Sequence, residues 1–264
     1  MKHLLEDNNI RLTEDADVFG RIAQAGAKVI CVSKQGRFNG FAMRVPPPEF
    51  EALMLFNSLE AAGKAQAIKK LVETSKNKDD QILEVEISEN NHAKFFQACQ
   101  NSMTAITFAV SALESWANKS IAIFGQENGQ PSSLIIERPD RPSREVLSDQ
   151  VPQDLKIPVR VKLFQLVPQV FDVAPLKSSS TLRQQIDDLV EERNIVMHMQ
   201  QKLNLSNEEI DRVSFAIKLF KTNSFTPTEH AVNYMCYVYE NSDRAVPTWL
   251  QKAQSELKSL KRKL

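Results

Sequence analysis

Apolar positions recur every three or four residues along most of this chain. They alternate with polar ones only in short stretches, most of them before residue 90. That pattern predicts many helices and few strands. The longest periodic run spans about Asn91 to Phe124, where Cys99, Met103, Ile106, Val110, Leu113 and Ala117 recur at spacings of four and three. Ala105, Phe108, Ala109 and Ala112 beside that stripe are also apolar, so this helix belongs in the middle of a bundle. An earlier helical pattern, about Glu49 to Ser75, starts after Pro46-Pro47-Pro48 and offers a bend at Gly63. Beyond Pro158 the pattern is helical to the end, with candidates at Val159 to Phe171, Ser180 to Leu203, Ser206 to Leu219, Thr228 to Glu240 and Pro247 to Lys263. Ser206-Asn207-Glu208-Glu209 has the Ser-x-x-Glu form of a capping box.

The β signals are brief. Lys28 to Ser33 and Arg37 to Val45 read as strands, with Lys34-Gln35-Gly36 as the hairpin turn between them. Lys76 to Asp80 reads as a turn ahead of a half-buried strand, Gln81 to Ile87, in which Leu83, Val85 and Ile87 share one face. Ser88 through Asn91 offers helix N-caps. Ser133 to Glu137 is a short strand candidate, and the Pro- and charge-rich segment Arg138 to Pro158 reads as a connection. The expected class is mainly α (α+β): an antiparallel helical bundle with a small antiparallel β element from the N-terminal region. The expected organisation is an N-terminal α+β region, 1–90, and a helical bundle, 91–264, packed as one unit.

Composition narrows the function classes. Apolar residues make up 42% of 264, enough to bury a real core. Lys+Arg and Asp+Glu balance at 33 each, so no global field gathers nucleic acid and any such contact needs a local patch. Glycine is scarce, at 7, which argues against a phosphate-loop or all-β architecture. Cys31, Cys99 and Cys236 are far apart and outside any CxxC, as expected of reduced thiols in a cytoplasmic protein. Met1 to Asn9 lacks the apolar core of a signal peptide, and no apolar run has the length of a membrane span, so no membrane partner is expected.

One segment departs from this ordinary picture: Glu192-Arg193-Asn194-Ile195-Val196-Met197-His198. On the Ser180–Leu203 helix the apolar arc is Leu182, Ile186, Leu189, Val190 and Val196, and Arg193 falls at its centre, where a leucine is expected. An arginine there needs a carboxylate, carbonyls or a bound anion for its donors. Asn194 and His198 are four apart and share a flank. The outer face is solvated early in the helix (Gln184, Asp187, Asp188, Glu191) but carries Ile195, His198 and Met199 later. The helix therefore turns apolar nearly all round where the polar trio sits, and a two-fold copy of the chain is the commonest partner for such a face. Against this stands the plain reading, in which a helical Arg and His five apart are ordinary packed or surface residues.

Arg193-Asn194, three intervening residues and His198 resemble the signature of HEPN domains, an Arg and a His four to six positions apart with a polar residue after the Arg. Upstream, Glu114 and Asn118 in Leu113-Glu114-Ser115-Trp116-Ala117-Asn118 resemble a Glu-x-x-x-Asn pattern of several HEPN families, and Lys162-Leu163 lies in the helical stretch between the two segments. The resemblance covers roughly Asn91 to Thr222. It implies an up-and-down bundle, usually a homodimer whose Arg/His helices face a common cleft. It also implies metal-independent endoribonuclease activity, often in toxin–antitoxin or anti-phage systems with a cognate antitoxin or defence partner. Some members are inactive, so the alternative is a non-catalytic dimeric module that binds RNA, nucleotide or protein. On the active reading Arg193 holds the scissile phosphate, and His198 is general base or acid. Asn194 orients His198 or the RNA, and Glu114 and Asn118 support them. RNA supplies its own 2′-hydroxyl nucleophile, so neither metal nor cofactor is expected. Arg138, Arg141 and Arg144, and the basic end Lys252, Lys258, Lys261, Arg262 and Lys263, are weaker candidates for phosphate contacts. Phe95, Phe96, Phe108, Trp116 and Phe124 read as core residues. His3, His92 and His230 receive no role.

Overall fold

A 33-residue helix, His92–Phe124, runs through the centre of the molecule. In the computed structural model the described residues are 16–18, 21–23, 34–38, 41–45, 49–72, 74–79, 82–127, 129–198 and 214–263. They hold seven helices: α1 Phe50–Lys69, α2 His92–Phe124, α3 over 159–171, α4 Thr181–His198, α5 over 214–221, α6 Thr226–Glu240 and α7 Thr248–Lys263. The strands pair two by two: β1 Ala16–Val18 with β2 Arg21–Ala23, β3 Lys34–Phe38 with β4 Phe41–Val45, β5 Thr74–Asp79 with β6 Ile82–Ile87, β7 Gln126–Glu127 with β8 Gln130–Pro131, and β9 Ser133–Ile136 with β10 Arg144–Leu147. The molecule is mainly α with small antiparallel β elements, as the periodicity predicts. No helix among the described residues is long and apolar enough to cross a membrane.

α2 lies within one residue of its expected bounds. It contains neither Gly nor Pro, and alanines line its buried side: Ala98, Ala105, Ala109, Ala112 and Ala117. Small side chains allow α1, with Ala52, Ala62 and Ala65 facing in, to pack along it more extensively than any other helix pair. Ser58 of α1 is fully buried, and its hydroxyl bonds to Ala105 O at 2.8 Å and Thr228 Oγ1 at 2.6 Å, tying α1 to α2 and α6. Ser58→Ala leaves the Thr228 hydroxyl without that partner in a dry site, and is expected to lower unfolding free energy by about 1–3 kcal/mol. Urea denaturation with an unchanged m-value checks this. One continuous core joins α1 through α7 and takes in β9 and β10.

Gly125 ends α2 at a close approach. A Cβ there would meet Ile121 O and Ser148 Cβ, each at 2.5 Å. The Gly125 carbonyl accepts from Ser132 Oγ at 2.7 Å, from the Ser132 N–H at 2.7 Å and from the Ser148 hydroxyl, and so anchors the β9–β10 hairpin.

The structure corrects several expectations. β3 begins at Lys34, so Lys34-Gln35-Gly36 lies inside a strand rather than forming the turn, and Phe38 pairs with Phe41. Lys28 to Ser33 falls outside the described residues, as do Cys31, His3 and the capping box at Ser206. α1 runs unbroken past Gly63 but stops at Lys69. Thr74–Asp79, expected as helix end and turn, is a strand along β6, with Thr74 opposite Ile87. Pairing with an apolar strand outweighs its own polar, turn-like composition. Arg138 to Pro158 is more than a linker: Arg144–Leu147 pairs with β9, and Val146, Val151 and Ile157 are buried. The open edge of β9 is closed by side chains of α3. Gln169 Oε1 accepts from the Ile135 N–H at 2.9 Å and its Nε2 donates to Ile135 O at 2.7 Å, while Gln165 Oε1 accepts from the Glu137 N–H at 2.8 Å. Phe96, expected in the core, is 65% exposed, whereas Trp116 is buried and Phe95 and Phe124 pack against the core.

Candidate functional site

α4 carries the cluster, and its apolar arc packs as the sequence indicates. Ile186, Leu189 and Val190 are buried, and Leu182 and Val196 pack partly against the core. Arg193 on that arc is half-buried rather than enclosed, with 26% of its side chain exposed. Its partner is Glu114 of α2, whose Oε2 lies 3.9 Å from an Arg193 terminal nitrogen. That is an ion pair longer than a hydrogen bond, and among the described residues the guanidinium has no closer carboxylate. The other Glu114 oxygen accepts from Lys162 Nζ at 3.2 Å.

Lys162 is 2% exposed and sits in α3, where residues Lys162–Leu166 adopt the wider π register. Pro168 explains this. It has no N–H for the α-helical bond to Phe164, and its ring crowds that carbonyl, so the turn before it opens. The result is two cations, Arg193 and Lys162, sharing one carboxylate across three helices. The local balance is one positive charge, and the carboxylate that fixes Arg193 is itself fixed from the far side.

Asn118, one turn along α2 from Glu114, has its Oδ1 buried with no hydrogen-bond partner among the described residues. It lies beside the Glu114 position on the same helix face, and among the described residues no hydrogen bond ties it to Arg193. Asn194 is half-buried on the adjoining flank of α4. The backbone of His198 closes α4, and its side chain lies outside the described residues. Five residues on an α-helix amount to about 500° of turn, a net offset of about 140°, and about 7.5 Å of rise, so positions 193 and 198 lie on different faces of α4. Arg193 turns to the bundle. His198 falls on the line of Asp187, Glu191 and Asn194.

Arg160 of α3 covers the acidic start of that line. Its Nε is 3.0 Å from Asp187 Oδ1, and a terminal nitrogen donates to Asp187 O at 2.8 Å and to Glu191 Oε2 at 3.4 Å. It offsets part of the negative charge on that flank of α4. Of the expected outer face, Ile195 is 39% exposed, while Met199 and the His198 side chain lie outside the described residues; Met197, on another side, is 56% exposed.

Lys162 and Arg160 had signals in the sequence, a lysine inside the apolar run from Val159 to Val167 and an arginine two residues before it, but no spacing rule connects them to α4. His230, given no role, lies in α6 and lines a cleft of about 260 Å³ with Asp188, Glu192, Lys218 and Ser102. Burial pushes its imidazole below the ordinary histidine value. Lys218 pairs with Glu192 at 2.8 Å on the far side of α4 from Asn194. Arg138 and Arg141 are exposed, Arg144 is engaged by Asp154 at 2.6 Å, and Lys261 is held by Glu229 at 2.8 Å. Cys99 and Cys236 are buried free thiols.

Among the described carboxylates, the most perturbed one lies far from this site. Burial, then the charge of Glu51, pushes Glu49 from 4.5 up to about 7. The folded chain therefore keeps that proton at pH values where the unfolded chain has lost it, and stability falls as pH rises from about 4.5 to 7. Glu49→Gln is expected to flatten that fall and to raise the melting temperature at pH 8 but not at pH 4, as thermal melts at both pH values would show.

Comparison of the chain with protein-family models, curated proteins and solved structures yields no match.

Proposed function

We propose that this chain is a metal-independent endoribonuclease of the HEPN type, working as a homodimer in a toxin–antitoxin or phage-defence setting. The observation that carries the reading is the Glu114–Arg193 pair. Two segments that resemble HEPN motifs, 79 positions apart in the chain, meet side chain to side chain at 3.9 Å. Chance resemblance of two short motifs does not require them to meet.

The chemistry follows from the residues. Arg193 is oriented by Glu114 but not used up by it, and presents donors to a phosphate oxygen. Lys162 holds Glu114 in place and adds the charge that leaves the site net positive. In RNA the 2′-hydroxyl attacks the adjacent phosphorus and the 5′-oxygen leaves, giving a 2′,3′-cyclic phosphate and a 5′-hydroxyl. The attack releases one proton and the leaving group takes one up, the two tasks an imidazole performs near neutral pH. His198 takes that role. Because positions 193 and 198 fall on different faces of one helix, a common groove is completed most simply by a second copy of α4, whose exposed Ile195 supplies apolar contact area at the same end. Asn194, between the two, orients the RNA backbone or His198.

The test is incubation of the full chain with mixed-sequence RNA in EDTA, alongside light scattering. Cleavage by a dimer supports the reading. Intact RNA with a stable dimer supports instead a binding module in which Arg193 serves assembly.

A further inference from the structure

The π turn of α3 is pinned from α6. Within it the Val167 N–H donates to Lys162 O, five residues back, where an α-helix would give it to Leu163 O. In the π register Leu163 O looks instead to position 168, a proline without an N–H. The Leu163 carbonyl, in a fully buried residue, is therefore left without a donor from its own helix. That state is costly, and the α register, in which Val167 would serve Leu163, competes with the π turn. Tyr234 of α6 supplies the missing donor: its hydroxyl bonds to Leu163 O.

A buried tyrosine hydroxyl finds some acceptor in most proteins. This one takes the carbonyl that the π register leaves open, one residue after Lys162. Burial pushes the Tyr234 hydroxyl above the ordinary tyrosine value, so it stays a donor. Its ring stands edge-on to Trp116 of α2 and to Phe164 of α3, with centroids 5.9 Å away in each case. Trp116 follows Glu114 by two residues, and Phe164 follows Lys162 by two. Tyr234 is thus keyed to both helices near the level where the ammonium meets the carboxylate.

We propose that Tyr234 is a positioning residue for the Glu114–Arg193 pair: by holding Leu163 O it keeps α3 in the π register that sets Lys162 against Glu114. Closing the turn into the α register winds the extra residue of the bulge into the helix. Position 162 then rotates by about 100° and moves about 1.5 Å relative to the residues after the turn. The Lys162 ammonium leaves Glu114 Oε1, which is 3.2 Å away in the π register, and the carboxylate beside Arg193 loses its far-side anchor. The effect on RNA cleavage rests on the nuclease reading; the link from Tyr234 to Lys162 does not.

Tyr234→Phe removes the hydroxyl and keeps the ring, and it is read in two ways with the full-length chain. The first needs no RNA. Urea denaturation gives the coupling between Glu114→Ala and Lys162→Met, once with Tyr234 in place and once with Tyr234→Phe. At least about half of that coupling is expected to vanish in the second case. Ser58→Ala, which loses a buried hydroxyl bond to α2 and α6 but none to α3, is expected to leave the coupling intact. The second reading is the initial rate of RNA cleavage in EDTA, expected to fall about tenfold in Tyr234→Phe. Added to Lys162→Met, the same substitution is expected to change the rate less than about twofold, because the residue it acts through is already gone. Lys162→Met strands no charge, so this comparison also covers the case in which Tyr234→Phe alone fails to fold. Undiminished coupling in Tyr234→Phe, or a further loss of about tenfold on adding it to Lys162→Met, would overturn the proposal. Intact RNA with the wild-type chain would overturn the nuclease reading instead, and the urea coupling would then decide the role of Tyr234.

Discussion

Arg193→Ala and His198→Ala are each expected to lower the rate of RNA cleavage in EDTA by about 10²–10⁴-fold. The two losses have different physical origins. In the proposed mechanism Arg193 supplies planar, paired donors to a phosphate, so Arg193→Lys restores charge but not the fork and is expected to remain impaired. In the same mechanism His198 moves protons, so His198→Gln, which keeps size and hydrogen bonding, is expected to be as inactive as the alanine variant. Glu114→Gln should fall between wild type and Arg193→Ala, because it loosens Arg193 without removing it. Initial rates on a defined RNA, with melting temperatures to separate inactivity from unfolding, check the series. Wild-type rates in both alanine variants would remove these residues from the chemistry.

The second large effect is on stability. Lys162 is 2% exposed, and among the described residues Glu114 is its carboxylate partner, at 3.2 Å. Glu114→Ala leaves an ammonium in the protein interior without a counter-charge, an arrangement that costs about 3–5 kcal/mol. Lys162→Met is different: it removes the buried charge and keeps most of the volume, and Glu114, itself 36% exposed, retains water and Arg193. That single change is expected to be near neutral. The double variant Glu114→Ala/Lys162→Met should recover most of the loss, because nothing charged is stranded. The non-additivity is the signature, read from urea midpoints at constant m-value. Full additivity would mean that Lys162 reaches solvent or another partner in the folded chain. The same contact then bears on both predictions: Glu114 stabilises the fold through Lys162 and sets the position of Arg193.

The long helix was the most legible part of the chain. α2 has an unbroken apolar stripe, abundant alanine and no Gly or Pro, and its bounds follow from that alone. The hairpins were legible as β structure but not in register. Lys34-Gln35-Gly36 has turn composition yet sits in β3, because strand boundaries depend on the partner strand and not on local preference. Thr74–Asp79 shows the same effect in a polar segment. The connection Arg138 to Pro158 looked structureless because its buried residues, Val146, Val151 and Ile157, are too sparse to form a periodic pattern.

For the site, Arg193 stood out because it occupies an apolar position, and the acid such a residue needs is found at Glu114. The part played by Lys162 was not legible. A lysine in an apolar run signals that something must satisfy it, but not what. The link runs through a π turn set by Pro168 and a carboxylate 48 positions away. Trp116 reads as core from its spacing and is core.

The central claim is that Arg193, held by Glu114, and His198 cut RNA through its own 2′-hydroxyl. It is tested most directly by mass spectrometry of RNA fragments after incubation with the full-length chain in EDTA. The expected products end in 2′,3′-cyclic phosphate. They are absent with His198→Ala, and absent when a single 2′-deoxynucleotide replaces the nucleotide at the cut. Intact RNA with the wild-type chain, or the same fragments from wild type and His198→Ala, would contradict it.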